Sequence, residues 1–395
     1  MEWIDEADGV FRGGGVKGLG LAGALLGFAQ HPTKPVHTWV NVAGASAGAI
    51  IACYLATGHD AKDMVELMKK TKFGSFQDFP PGGEYLGGFF NLVRKHGLAH
   101  GEAFRIWFDD ELDHATFATT KTKDGKGWRL KLIAVDATNK ALLVLPDDLA
   151  RYRLPGASAA IVPDEFPIAS AARMSMSIPY FFEPVTLVRD RVFVIDAGDT
   201  DGLVAKAPND RLDVQRANDA LPAGRKAATT RELTAQEWKL QVSTIIDGGT
   251  LSNFPVWLFD VDTAGGPLTR PTFGFTLTGG KGVGAGLNKV VARLPWAARF
   301  GYQIFQTAQE AWDARFVSNS TRVRTIAVDA GTIGTTQFNL TAADQKLLID
   351  NGIAAVDRFL DRFTLADYVN TYGRHFGDRP ATDGKAAEKE LAGTA

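Results

Sequence analysis

The chain has 395 residues, 45% of them hydrophobic and 22% charged, with 43 basic against 45 acidic side chains and a formal charge of −2. That balance excludes a disordered or fibrous chain, and the near-neutral charge gives no electrostatic reason to expect a nucleic-acid partner. The single cysteine, Cys53, excludes an internal disulfide and any multi-cysteine metal site.

The length exceeds the roughly 250 to 300 residues at which one core stops growing, so one large α/β domain with excursions and two smaller domains are both open. The N-terminal MEWIDEADGVFRGG lacks the basic and apolar regions of a secretory signal, and no uninterrupted apolar run reaches the roughly 18 to 20 residues of a membrane span. A cytoplasmic protein is expected, and peripheral membrane contact remains compatible because it needs no such segment.

In chain order, Val10 and Phe11 end a short strand, and GGGVKGLGLAGALLGF is a glycine turn feeding a small-residue helix. HTWVNVAG repeats the pattern as a strand, GASAG is a tight turn, and AIIACYLATG is a helix that Gly58 stops. Asp60 is placed to cap a helix over residues 61–71. The glycine-rich, aromatic stretch PPGGEYLGGFFNLVRKHGLAHG is placed to cover a site, and a helix through EAFRIWFDDEL follows. WRLKLIAVDATNKALLVLP is read as two strands turning at Asn139 and Lys140, PIASAARMSMSIPYFFEPV as a helix ended by Pro179, and TLVRDRVFVIDAG as a strand. Residues 197–240 turn charged and polar and are read as an inserted excursion. QVSTIID and PTFGFTL return to strand, TAADQKLLIDNGIAAVDRFL is a helix, and a polar, weakly ordered tail runs over 377–395. Alternating strands and helices predict an α/β fold with a mainly parallel sheet covered on both faces.

Gly44-Ala45-Ser46-Ala47-Gly48 reads G-x-S-x-G between an apolar strand and an apolar helix. Glycines two before and two after the serine permit a strained turn that presents the hydroxyl at a helix N-terminus; the plainer alternative is an N-capping serine. Gly13-Gly14-Gly15-Val16-Lys17-Gly18 offers unobstructed backbone amides before a helix, the donors that a developing oxyanion needs. The same letters satisfy the dinucleotide fingerprint, but no Asp or Glu occurs from Gly9 to His59 to hold a ribose. Lys17 is open to two readings, an ordinary solvated side chain or a direct electrostatic contributor.

A serine needs a base, and only His375 among the histidines follows a mid-chain acid. It sits at the edge of the polar tail, where a solvated histidine is the simpler reading, so a full triad is not expected. Asp247 ends the strand QVSTIID, and Gly248 and Gly249 permit a turn that exposes its carboxylate at a strand's carboxyl end; the plainer alternative is an Asp opening a β-turn. Asp196 also ends an apolar strand but lacks the following glycine pair and the Asn253-Phe254-Pro255 continuation.

Taken together, GGGVKG, GASAG and DGGTLSNFP resemble, in order, the oxyanion loop, nucleophile elbow and Asp-Gly-Gly element of the patatin-like phospholipase family. DATNKALLVLPDD, AARMSMSIPYFFEPV and GTTQFNL are similar to that family too, and the resemblance spans roughly residues 8–362, within a single domain expected over 8–365. It implies a three-layer α/β/α fold and hydrolysis of fatty-acyl esters or phospholipids without metal or organic cofactor. Carried onto this chain, it implies Ser46 as nucleophile, Asp247 as base and the amides of Gly13, Gly14 and Gly15 as oxyanion hole, with Lys17, Gly18, Gly44, Gly48, Gly248 and Gly249 completing the motifs. Acyl transfer by the same pair and a non-catalytic lipid-binding scaffold are the alternatives. Oligomeric state is not specified by any of these features.

Overall fold

The computed structural model describes residues 3, 5–76, 78, 97–189, 193–196, 229–232, 242–259, 270–279, 300, 323–335, 337 and 339–377. Most of the expected covering stretch, most of the 197–240 excursion and all but the first residue of the expected tail lie outside the described residues. The elements are β1 (Glu6–Phe11), α1 (Gly18–Gln30), β2 (Thr38–Gly44), α2 (Ala47–Ala56), α3 (Ala61–Lys70), β3 (Gly97–Ala99), α4 (Glu102–Glu111), β4 (Leu130–Asp136) and β5 (Ala141–Leu145). They continue with β6 (Tyr152–Arg153), α5 (Ile168–Ser175), β7 (Tyr180–Phe182), β8 (Val185–Arg189), β9 (Phe193–Asp196), β10 (Thr229–Glu232), β11 (Val242–Asp247), β12 (Thr272–Thr278), β13 (Thr325–Asp329), α6 (Ala342–Leu360) and α7 (Leu365–Gly377).

The chain divides into two compact units, the first of residues 1–77, 120–133 and 249–395 and the second of residues 78–119 and 134–248. In the first, strands run in the order β13-β12-β1-β2-β4 and every pairing is parallel. This is the mainly parallel α/β sheet that the alternating elements predict. Its core carries stacked rings, with Phe11 and Phe275 centroids 4.9 Å apart and Phe28 and Phe273 5.1 Å apart. Burying each such side chain is worth about 1.5–3 kcal/mol. Helix α1 packs on α6 at near backbone contact, since a Cβ on Gly23 would lie 2.6 Å from Ile349 O and one on Gly352 2.3 Å from Gly20 O. The small-residue run of α1 is thus a close-packing surface.

Caps follow the sequence reading. Asp60 Oδ1 accepts the amides of Lys62 and Asp63 at 2.8 Å and forms a reciprocal capping box with Asp63, and Thr341 and Asp344 do the same for α6. Where the β1–β2 register shifts between Ala7 and Gly9, buried Asp8 fills the irregularity, accepting Asn41 N at 3.0 Å and Arg270 Nε at 2.7 Å.

The second unit is built differently. Residues 134–136 of β4 pair antiparallel with β11, β11 with β8, and β8 with β6, while β5 pairs with β4. Buried Asp136 organises the end of β4, accepting Asn139 N at 3.0 Å, Asn139 Nδ2 at 2.7 Å and Tyr152 Oη at 2.8 Å. The segment read as one strand over TLVRDRVFVIDAG is two, β8 and β9, the latter pairing with β10. Residues 180–182, read as part of a helix-ending run, form β7 and pair parallel with β3. Within the first unit, β13 and α7 add structure where no element was expected.

Candidate active site

The serine segment is shaped by sterics. Apolar β2 enters a turn at Gly44 and leaves it as α2, and Ser46 between them has φ 52° and ψ −126°, a conformation that L residues rarely adopt. Holding a non-glycine residue there stores about 1–3 kcal/mol, which the surrounding structure must over-determine. It does so by close approach. A Cβ on Gly44 would lie 2.2 Å from Gly48 O, and one on Gly48 would lie 2.1 Å from Phe11 O and 2.8 Å from Arg12 O. Helix α2 starts at Ala47, with Gly48 N donating to Ala45 O at 2.9 Å and Ala49 N to Ser46 O at 2.8 Å, so positive helix-end dipole lies beside the serine. Ser46 is only 6% exposed.

The glycine loop lies against this serine. A Cβ on Gly13 would sit 2.9 Å from Ser46 Cβ and 2.3 Å from Asn253 Oδ1, so nothing larger than glycine fits. The Gly13 amide donates to Asn253 O at 3.2 Å and the Val16 amide to Thr335 O at 3.1 Å. Gly14 and Gly15 lie between these two anchors, packed on Leu277 and Thr335 respectively. Asn253 is therefore a structural partner of the loop that the motif reading used only as punctuation, although its place in DGGTLSNFP was the available signal. Arg12 Nη1 donates to Leu277 O at 3.0 Å. Lys17 is 8% exposed, which removes the solvated reading. Burial, and then the nearby Arg12 charge, bring its ammonium down to about 8. Gly18 opens α1, a Cβ there falling 3.5 Å from Ala47 Cβ.

Asp247 and Gly248 belong to the second unit, and Gly249 begins the last segment of the first. Asp247 ends β11 in register with Ala134, is fully buried, and donates its amide to Ser177 O at 2.9 Å. Residues Gly248–Thr250 form the short helical turn that the glycine pair predicted as a turn. The rival Asp196 ends β9, as expected of a strand-end residue. The second unit also carries an open pocket of about 580 Å³, lined by Ile161, Phe166 and Met174 together with Glu102, Arg105 and Arg173.

Other reactive candidates are placed away from chemistry or outside description. Cys53 is buried in α2, and burial pushes its thiol well up, against nucleophilic use. His375 falls in the last turn of α7, at the edge of the expected tail; its side chain lies outside the described residues. Among the described residues, no group of three or more His, Cys, Asp or Glu side chains is arranged to hold a metal ion, and no helix is long and apolar enough to cross a membrane.

These features describe an α/β protein with a serine at a strained strand-to-helix turn against a glycine loop. The model of the family described as "Patatin-like phospholipase" matches residues 9–260. The uncharacterized protein YqhO of Bacillus subtilis (strain 168) is 31% identical over 361 residues, covering 90% of this chain and 99% of YqhO. Among solved structures, VipD from Legionella pneumophila is similar at a TM-score of 0.42 and 15% identity, over 91% of this chain and 67% of that one. The type III effector protein ExoU, also solved with SpcU from Pseudomonas aeruginosa, gives a TM-score of 0.38 and 12% identity over 91% and 54%. The chain belongs to the patatin-like phospholipase family, a family of lipid acyl hydrolases.

Proposed function

We propose that the protein hydrolyses fatty-acyl esters, of the phospholipase A, lysophospholipase or esterase type, through a Ser46–Asp247 pair and an acyl-enzyme. The observation that carries this reading is the strained backbone of Ser46, held at positive φ by close contacts and backed by the Gly13 loop. Strain of this kind is retained where it aims a side chain.

In the first half-reaction, Ser46 Oγ attacks the ester carbonyl carbon while its proton passes to the Asp247 carboxylate. The tetrahedral oxyanion is held by the amides of Gly14 and Gly15, since the Gly13 amide already donates to Asn253 O. Collapse breaks the ester C–O bond, and the departing alcohol takes the proton from Asp247. Water then attacks the acyl carbon, Asp247 accepts its proton and returns one to Ser46, and the fatty acid leaves.

The test is turnover of phospholipid and acylglycerol panels by the wild-type chain and by Ser46→Ala and Asp247→Asn. Each substitution is expected to reduce kcat by roughly 10⁴-fold with folding intact. Retained hydrolysis in either variant contradicts the pair.

A further inference from the structure

Arg173 lies in the last turn of α5 and is 6% exposed, yet its guanidinium bonds to four oxygens from three segments of the second unit. Nε donates to Gly101 O at 3.0 Å, Nη1 to Ser177 Oγ at 2.6 Å, and Nη2 to His100 O and Glu183 O at 2.5 and 2.7 Å. None of these four oxygens belongs to a carboxylate. Burial dominates its electrostatics and brings it down to about 10, against the longer-range pull of Asp78, Glu183 and Glu102. A buried cation served by neutral acceptors is costly, so its geometry calls for a reason.

The Ser177 end of this network leads to Asp247. Ser177 is fully buried; its hydroxyl accepts from Arg173 and donates back to Arg173 O at 2.9 Å, and its carbonyl accepts Asp247 N at 2.9 Å. Strand pairing shows what that carbonyl replaces. β11 is in register with β8 from Val242 to Ile245, and two residues later Asp247 takes Ser177 O as its partner. On its other edge Asp247 remains opposite Ala134 of β4. One neighbour of the Asp247 main chain is thus a strand, and the other is a turn held by Arg173. The same guanidinium grips Glu183 just before β8, and it grips Gly101 at the start of α4, where Asp78 accepts the amides of Gly101, Glu102 and Ala103.

We propose that Arg173 is a positioning residue for Asp247, setting the place of its carboxylate by holding the Ser177 turn to which the end of β11 is bonded. This rests on the reading of Asp247 as the base. A planar fork reaches four acceptors that a lysine ammonium, with three donors on one atom, does not span. Misplacing a catalytic group by about 1 Å costs roughly 100-fold in rate.

The experiment uses the full chain with a p-nitrophenyl acyl ester, measuring kcat, KM and Tm for Ser177→Ala, Arg173→Lys, the double variant and Asp247→Asn. Ser177→Ala is expected to lower kcat about 10-fold and Arg173→Lys about 100-fold, each with KM within about twofold. Because the Ser177 hydroxyl is one of the four acceptors through which Arg173 holds this turn, its loss is contained in the loss of Arg173, and the double variant falls no further than Arg173→Lys. Phe117→Leu, a buried change elsewhere in the unit, controls for lost stability and keeps the wild-type kcat. Ser177→Ala removes one buried hydroxyl and decides the question alone if Arg173→Lys does not fold. Wild-type kcat in the folded variants, losses that multiply in the double variant, or a loss confined to KM overturns the positioning role, and an inactive Asp247→Asn then leaves the base assignment standing. An active Asp247→Asn overturns both.

Discussion

In the first unit Ser46 is held by what is missing around it: glycines at 13, 44 and 48 let main chain and side chains come closer than any Cβ would allow. In the second unit Asp247 is held by what is present, a strand on one side and a turn tied down by a buried arginine on the other. Parallel strands accompany the first arrangement and antiparallel strands with buried Asp136, Tyr152, Arg173 and Ser177 the second. The contrast separates two ways of fixing a reactive side chain. Steric fixation stores strain at the residue itself, whereas hydrogen-bonded fixation spreads the cost over a network.

The sharpest way to break the contrast is Gly48→Ala. Its Cβ would meet main-chain oxygens of Phe11 and Arg12, which cannot swing aside, so a loss of about 4 kcal/mol or more is expected in denaturant unfolding. Gly58→Ala is the comparison: φ is +98° but nothing lies within 4 Å, and about 1 kcal/mol is expected. Equal losses would show that steric closure is not what holds the serine turn.

Lys17 tests the cost of placing charge in the first unit. Its ammonium sits at about 8 in the folded chain against an ordinary 10.5, so the unfolded state binds more protons between those values and stability rises with pH across that window. Lys17→Met is therefore expected to stabilise by about 3 kcal/mol at pH 7, an advantage that fades by about pH 10.5. Wild-type kcat/KM is expected to fall as pH passes through about 8, and the variant to be lower and to lack that alkaline fall. Unfolding curves and rate profiles at several pH values check both.

In the second unit, Tyr152→Phe removes one bond to Asp136 while the Asn139 bonds remain. About 2 kcal/mol of stability is expected to go, with kcat unchanged. His375→Ala should have the smallest effect, leaving kcat within about twofold; a large loss would bring a histidine back into the mechanism.

The first unit was the more legible from sequence because steric fixation is written in local letters. Gly44, Ser46 and Gly48 are contiguous with their strand and helix, and Asp60 announces its own helix. Networks are not written that way. Arg173 looks like a polar-face helix residue until Gly101 and Glu183 are brought to it, and β3 and β7 are three-residue strands, too short to show a period, paired across some eighty positions. The alternation of the chain between units at 78, 120, 134 and 249 has no signature in composition, because each crossing falls within or beside an ordinary element. Asn253 was visible as part of a motif, but its contact with Gly13 joins residues 240 positions apart.

The central claim is that Ser46 is an activated nucleophile, and covalent labelling tests it most directly. Purified wild-type chain treated with a fluorophosphonate, digested and mapped by mass spectrometry should carry the label on Ser46, with none on the Ser46→Ala chain. A label on another serine, or none on folded protein that still hydrolyses an acyl ester, would contradict the account.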